Sequence, residues 1–109
     1  MQQDEDAARP ELERIEREIR ESAQTAGRAL PDLLKASRAL AAMLKEIPPS
    51  PPPGRRLSKA HVAVIGDALH TLAEAGKAQD NKTQASKELV RKILRWCTDL
   101  SVLINPPSF

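Results

Sequence analysis

Three side chains that are able to bind a metal ion or move a proton share one face of a predicted helix. Asp67, His70 and Glu74 are spaced three and four residues apart, which places an imidazole and two carboxylates along one side of an α-helix. The apolar residues Ile65 and Leu69 define the opposite side, so this group points into solvent. The pattern favours a solvated helix face, and we predict no metal and no cofactor here.

Two further residues with reactive side chains, His61 and Cys97, lie among apolar neighbours. His61 flanks the apolar face of the same predicted helix, which is typical of a partly buried structural histidine. Cys97 falls in the apolar stripe of the last predicted helix, and this position predicts a buried, inert thiol. The sequence contains no Gly-x-Ser-x-Gly, no phosphate-cradling glycine loop and no Cys-x-x-Cys. These observations favour a protein that is not an enzyme.

A basic face on the last predicted helix offers a different chemistry. Lys87, Arg91, Lys92 and Arg95 line its polar side, the profile of helices that contact nucleic acid or anionic membranes. Acidic residues interrupt this face, and the chain contains no tyrosine with which to stack bases. A solvated face is therefore favoured, and binding to nucleic acid or to an anionic membrane surface remains the alternative function.

The composition predicts an all-α fold for a chain of this length. Of the 109 residues, only Trp96 and Phe109 are aromatic, and strong helix formers such as Ala, Leu, Glu, Lys and Arg dominate.

Residues 1–30 carry eight acidic and five basic side chains, whereas residues 31–109 carry seven acidic and twelve basic ones. We expect the acidic arm either to fold onto the basic half or to pair head to tail with a second copy.

Apolar periodicity and helix-boundary residues divide the chain into helical hairpins, which we expect to form a small three- or four-helix bundle with a proline-rich joint between its halves. Pro10 is suited to the first turn of a helix, and Ser58 and Thr83 or Asn81 are suited to cap later ones. The predicted parts are a disordered acidic N-terminus (1–9), helices at about 10–29, 31–46, 58–76 and 83–104, a linker (47–57) and a tail (105–109), with 10–104 as one domain.

The apolar stripe of the first predicted helix continues across Pro31. A proline inside a helix removes one backbone hydrogen bond and clashes with the preceding turn. Gly27 eases either a bend or a short break at this point. We therefore expect the first two helices to lie nearly in line, joined by a kink or a short break.

The stretch "KEIPPSPPPGRRLSKAH", Lys45 to His61, holds five of the chain's nine prolines. Such a run favours the extended polyproline conformation. Lys45, Pro48 and Pro51 satisfy a basic-x-x-Pro-x-x-Pro spacing that proline-recognition domains read. Short proline patterns are common in linkers, so a semi-rigid spacer is the favoured interpretation and a ligand motif the alternative.

Leu12, Ile15 and Ile19 form a narrow apolar seam among charged residues, and an isolated helix of this kind is marginal in water. The broad apolar side of the last helix includes Trp96, with Leu94 and Val102 outside its stripe. We predict a non-enzymatic interaction module, a regulator or adaptor, that presents apolar helix faces to a protein partner and forms a homodimer. The predicted partner-binding residues are Leu12, Ile15, Ile19, Trp96, Leu100 and Leu103.

The N-terminal sequence is acidic and polar, unlike a signal or transit peptide. No apolar run approaches the roughly 20 residues that a membrane-spanning helix needs. A single cysteine fits a reducing compartment, and these features predict a cytoplasmic protein.

Overall fold

The computed structural model describes residues 4–47, 57–80 and 82–105. Within them the chain forms four α-helices, a short 3-10 helix and no strand, which confirms the predicted all-α class. The elements are α1 (Asp4–Ala23), a 3-10 helix (Gly27–Ala29), α2 (Leu30–Glu46), α3 (Lys59–Ala78) and α4 (Gln84–Ile104). Most of the predicted linker, 48–56, and most of the predicted tail, 106–109, lie outside the described residues.

The first helix begins at Asp4, so the predicted helix start at about residue 10 is wrong by six residues. Acidic residues suit the first turns of a helix because its dipole is positive at that end. Arg9 also ties this segment to the fold, since its Nη1 donates hydrogen bonds to the carbonyls of Leu44, at 3.1 Å, and Ile47, at 2.6 Å. These carbonyls belong to the C-terminal end of α2 and have no partner within the helix.

The first two helices fold back on each other, so the expectation that they lie nearly in line is also wrong. Arg9 near the start of α1 reaches the end of α2, which makes the two helices antiparallel. The chain reverses between Ala23 and Leu30, where Gly27 takes a left-handed φ of 63°. Pro31 lies in the first turn of α2, where its missing N–H costs no hydrogen bond, so it begins a helix rather than kinking one.

The later helices largely follow the predicted boundaries. The side chains of Ser58 and Thr83 cap α3 and α4 by accepting hydrogen bonds from backbone N–H groups three residues ahead. However, α3 continues to Ala78, two residues beyond the predicted end at Gly76. Gly76 instead faces α4, where a Cβ built on it would lie 3.5 Å from Cγ2 of Ile93.

One apolar core joins the four helices. Its small residues are alanines in α1, in the reversal between α1 and α2, in α2 and in α3. Their small side chains allow the helices to approach closely. The larger buried side chains are Leu12, Ile15, Ile19, Leu33, Leu40, Met43, Leu44, Ile47, Ile65, Leu72, Leu89, Ile93, Trp96 and Leu100. Burial of this set supplies the main driving force for folding.

Helix directions alternate through the fold. Arg14 of α1 contacts Asp99 of α4, and Glu18, one turn later on α1, contacts Trp96, so these helices are antiparallel. The N-terminal end of α1 and the C-terminal end of α4 therefore lie at the same end of the molecule. None of the helices in the described ranges has an apolar stretch of the length needed to cross a membrane.

Candidate functional site

The predicted partner-binding residues lie inside the chain's own core. Leu12, Ile15 and Ile19 are 0% exposed, Trp96 is 1% exposed and Leu100 is 0% exposed. The sixth predicted residue, Leu103, is half-buried against the same core. The apolar seam on α1 is thus buried by other helices of the same chain, because α2 folds back beside it. The other helices of the chain therefore cover five of these side chains, whereas Leu103 remains partly accessible to solvent.

A polar cluster joins α1 to α4 at the edge of this core. The guanidinium of Arg14 donates two hydrogen bonds to Glu11, at 2.9 and 3.1 Å, and one to Glu18, at 3.0 Å. It also reaches across to α4, where its Nη2 lies 2.7 Å from Oδ2 of Asp99. The contact between Arg14 and Asp99 was not predicted from the sequence, because the two residues are 85 positions apart.

The polar cluster around Arg14 lowers the pKa values of Glu11 and Glu18. Hydrogen bonds from Arg14 are the main cause of a lowered pKa at Glu11, and they outweigh burial, which alone would raise this pKa. For Glu18, burial raises the pKa, but hydrogen bonds from Trp96 and Arg14, with the charges of Arg14 and Arg95, leave the pKa below its ordinary value. Hydrogen bonds to Glu11 and Asp99 likewise raise the pKa of Arg14, so this cation is present at every working pH.

A second polar pair is buried between α1 and α2. Ser37 donates its hydroxyl to Oε2 of Glu16 at 2.8 Å, and both residues are buried. Nη1 of Arg20 lies 3.4 Å from the same carboxylate oxygen. The buried charge is therefore both hydrogen-bonded and paired, as its environment requires, and it has a structural role.

A shallow groove separates the C-terminal half of α1 from the N-terminal half of α4. Its two parts have volumes of about 300 and 410 Å³ and share Ser22, Thr25 and Lys92 in their linings. Oε1 of Gln79, beside the first part, is buried and has no hydrogen-bond partner among the described residues. The groove is open, small and of mixed polarity, without a converging set of catalytic groups.

The four side chains of the predicted basic face lie on two different sides of α4. Lys87, Arg91, Lys92 and Arg95 are all exposed. Lys92 and Arg95 line the groove beside acidic residues of α1, and the charge of Arg95 contributes to the lowered pKa of Glu18. Lys87 and Arg91 lie on the outer side of α4, away from these carboxylates.

The predicted solvated face of α3 is exposed in the structure. Asp67, His70 and Glu74 are all exposed, and His61 is half-buried. Across 4–47, 57–80 and 82–105, no group of three or more His, Cys, Asp or Glu side chains is arranged to hold a metal ion. These residues therefore remain separate surface groups.

The C-terminal half of α4 presents a second apolar surface, which the sequence assignment missed. We call it the outer α4 face and define it by Leu94, Thr98, Ser101 and Val102, with Cys97 and Ile104 at its edge. Leu94 is 62% exposed and Val102 is 47% exposed. A surface depression of about 550 Å³ runs along this face. The outer α4 face contains no charged residue, although the rest of the surface is rich in charge.

The sequence contains one pattern that indicates the outer α4 face, a second heptad-like stripe on α4. Val90, Leu94, Cys97, Ser101 and Ile104 are spaced alternately by four and three residues, parallel to the stripe that contains Trp96. Cys97 is half-buried at the boundary between the two stripes, and burial raises the pKa of its thiol. This agrees with a thiol of low reactivity rather than a nucleophile.

Comparison of the chain with protein-family models, with curated proteins and with solved structures found no match.

Proposed function

We propose that this chain is a non-enzymatic protein interaction module, a regulator or adaptor, that docks a protein partner on the outer α4 face. The observation that carries this proposal is the exposure of Leu94 and Val102 on one uncharged surface. They are the large apolar side chains that stand out as exposed among the described residues, and both belong to this face. Single exposed apolar residues are ordinary, but two of them on one uncharged surface with a depression along it favour an interaction surface.

The non-enzymatic part of the proposal rests on the candidate catalytic groups. Asp67, His70 and Glu74 lie exposed on α3, and the described part of the chain contains no group of three or more His, Cys, Asp or Glu arranged to hold a metal ion. The pKa of the Cys97 thiol is raised, which disfavours the thiolate that a nucleophile needs. A single cysteine also forms no internal disulfide, so we place the chain in the cytoplasm, a reducing compartment.

We further propose that the proline-rich segment acts as a spacer between the two halves of the fold. Ile47 before it is buried, and Leu57 after it packs against the core. Its two flanks are thus anchored in the fold, which fits a joint. The prolines of the Lys45, Pro48 and Pro51 spacing lie outside the described residues.

The experiment for the interaction proposal compares two variants of a tagged chain in its native lysate. Leu94→Asp combined with Val102→Asp places two charges on the outer α4 face. The matched control, Ala63→Asp combined with Ala73→Asp, places two charges on exposed positions of α3. We expect the wild-type chain and the control to retain the same protein partner, and the face variant to lose it while keeping its helical circular dichroism. Equal retention by all three chains would contradict the proposal.

The alternative function, binding of nucleic acid or an anionic membrane surface, is favoured by the exposed Lys87 and Arg91. It is weakened by Lys92 and Arg95, which lie beside α1 carboxylates rather than extending the same patch. Phosphate binding through basic side chains falls steeply with salt concentration. Titration with a polyanion at low and physiological salt distinguishes this function, since binding that persists at physiological salt and is lost in Arg91→Glu would favour it.

A further inference from the structure

We propose that the partner of the outer α4 face is a second copy of this chain, with the two α4 helices side by side and antiparallel. This inference rests on the proposed function and names its partner. The two-fold axis would pass through Thr98, the central residue of the face. In this arrangement Leu94 of one protomer packs against the partner's Val102, and the same contact is repeated on the other side of the axis.

The chemistry of Thr98 suits a position on the axis. Its hydroxyl donates a hydrogen bond of 3.0 Å to the carbonyl of Leu94 in the preceding turn. A threonine bonded in this way can enter an interface without leaving an unpaired donor. The centre of the face is therefore ready to be buried against an apolar surface.

The charges beside the face select the antiparallel orientation. In a parallel pair, Arg91 would lie opposite the partner's Arg91, and such like-charge contacts oppose association. In the antiparallel pair centred on Thr98, the two arginines are 14 residues apart along the helix axis, about 21 Å at 1.5 Å per residue. This distance exceeds the roughly 8 Å over which surface charges interact at physiological salt.

The antiparallel orientation also places Arg91 at the C-terminal end of the partner's α4. That end carries the negative pole of the helix dipole, and the last turn of α4 has no basic residue of its own. Asn105, which follows the helix, is exposed, so the end is accessible. Each protomer thus supplies the cation that the end of the other helix lacks.

The small size of the face predicts a weak dimer. The overlap from Arg91 to Asn105 covers 15 residues, a strip of about 22 by 10 Å. This is well below the roughly 800 Å² that each partner buries in a stable complex of standard size. We expect a dissociation constant no tighter than about the micromolar range, so that monomer and dimer exchange as the concentration changes.

Sedimentation equilibrium over a concentration series tests the dimer. We expect the mass of the wild-type chain to rise from 12.0 kDa toward twice this value. The control Ala63→Asp with Ala73→Asp should behave in the same way. Leu94→Asp with Val102→Asp should weaken association by more than about tenfold, and Arg91→Glu by about tenfold. A wild-type mass of 12.0 kDa at every concentration, or a dimer unaffected by the face variant, would overturn the inference.

Cross-linking tests the orientation. On a Cys97→Ser background, chains carrying Arg91→Cys are mixed with chains carrying Asn105→Cys and treated with a short bismaleimide. The antiparallel pair brings these two positions together and predicts cross-links between the two kinds of chain. Cross-links between identical chains would indicate a parallel pair and overturn the proposed geometry.

The lysate experiment separates this inference from the function on which it rests. If the chain is monomeric but Leu94→Asp with Val102→Asp still abolishes retention of another protein, the interaction function stands and the second-copy inference fails. If the chain is monomeric and no retained protein depends on the outer α4 face, both fail.

Discussion

The indole N–H of Trp96 donates a hydrogen bond of 2.9 Å to Oε1 of Glu18, which joins α4 to α1 across the edge of the core. Trp96 is 1% exposed, so its indole ring lies within the core. The bond satisfies a donor that burial would otherwise leave unpaired, and it also helps to lower the pKa of Glu18. A core residue and a surface carboxylate are thus coupled in one contact.

Replacing Trp96 separates its two contributions to stability. We expect Trp96→Ala to lower the free energy of unfolding by about 3–5 kcal/mol, because a large cavity forms in the core. Trp96→Phe keeps most of the ring volume but loses the hydrogen bond to Glu18, and it should cost about 1–2 kcal/mol. Urea unfolding followed by circular dichroism measures both, since these variants lack the only tryptophan. If Trp96→Ala and Trp96→Phe lowered the free energy of unfolding by the same amount, the contributions of the hydrogen bond and of the ring volume would not be separable.

Acid should destabilise the fold through the Arg14 cluster. The pKa values of Glu11 and Glu18 are lowered in the folded chain, so the unfolded chain binds more protons as the pH falls below about 4.5, the ordinary carboxyl value. The stability that these groups contribute is present above that pH and is lost as the pH falls through the folded-state pKa values. The free energy of unfolding, measured from pH 7 to pH 3, should therefore decrease toward the acid end of this range.

A pair of arginine variants tests the origin of this acid sensitivity. Arg14→Met removes the hydrogen bonds that lower the two pKa values, and its stability should depend less on pH below 4.5 than that of the wild type. Arg17→Met is the matched control, because Arg17 is exposed on the same helix and lies outside the cluster. Parallel acid profiles for Arg14→Met and the wild type would show that other groups cause the decline.

The reversal between α1 and α2 can be tested at Gly27 and Pro31. Gly27→Ala should cost about 1 kcal/mol, since φ is 63° and a Cβ there meets nothing within 4 Å, which leaves backbone strain as the main cost. Pro31→Ala should destabilise by less than about 1 kcal/mol, through a less restricted unfolded chain. A proline that kinked a continuous helix would give the opposite sign, with Pro31→Ala stabilising by about 3 kcal/mol. Chemical unfolding curves decide between these results.

The same residues explain how much of the fold the sequence could predict. Helix formers, caps at Ser58 and Thr83 and the apolar periods identified four helices, because these signals act over one or two turns. The direction of α2 was not predictable in this way. A heptad-like stripe that runs through Pro31 is equally compatible with a kinked helix and with two helices folded back on each other. The choice depends on contacts such as Arg9 with Ile47, between residues 38 positions apart.

The candidate site was missed for a related physical reason. Leu94 and Val102 were recognised as lying outside the main stripe of α4, but their exposure depends on which helices flank α4. The narrow seam of Ile15 and Ile19 suggested an unfilled surface, because the sequence does not show that α2 returns to cover it. Aspartate at either position should consequently unfold the chain rather than dissociate a dimer.

The proline-rich segment should tolerate substitution. Replacing Pro48, Pro49 and Pro51 to Pro53 with Gly and Ser keeps the length of the spacer and should leave partner binding within about tenfold. A chain with Lys45→Ala and intact prolines serves as the comparison for the recognition motif. Loss of binding in both chains, with helical content retained, would identify the segment as a ligand for a proline-recognition domain.

Cys97 provides a direct reporter of the outer α4 face. Burial raises the pKa of its thiol, so little thiolate is present at neutral pH and alkylation by iodoacetamide should be slower than that of a free thiol. Because Cys97 lies at the edge of the face, a second copy should cover it further. We therefore expect the rate constant for alkylation to fall as the concentration of the wild-type chain rises through the dissociation constant of the dimer. In Leu94→Asp with Val102→Asp the rate constant should not vary with concentration, and urea should restore the free-thiol rate in both chains. A wild-type rate that is constant over a range in which sedimentation shows dimerisation would place the interface on another surface of the molecule.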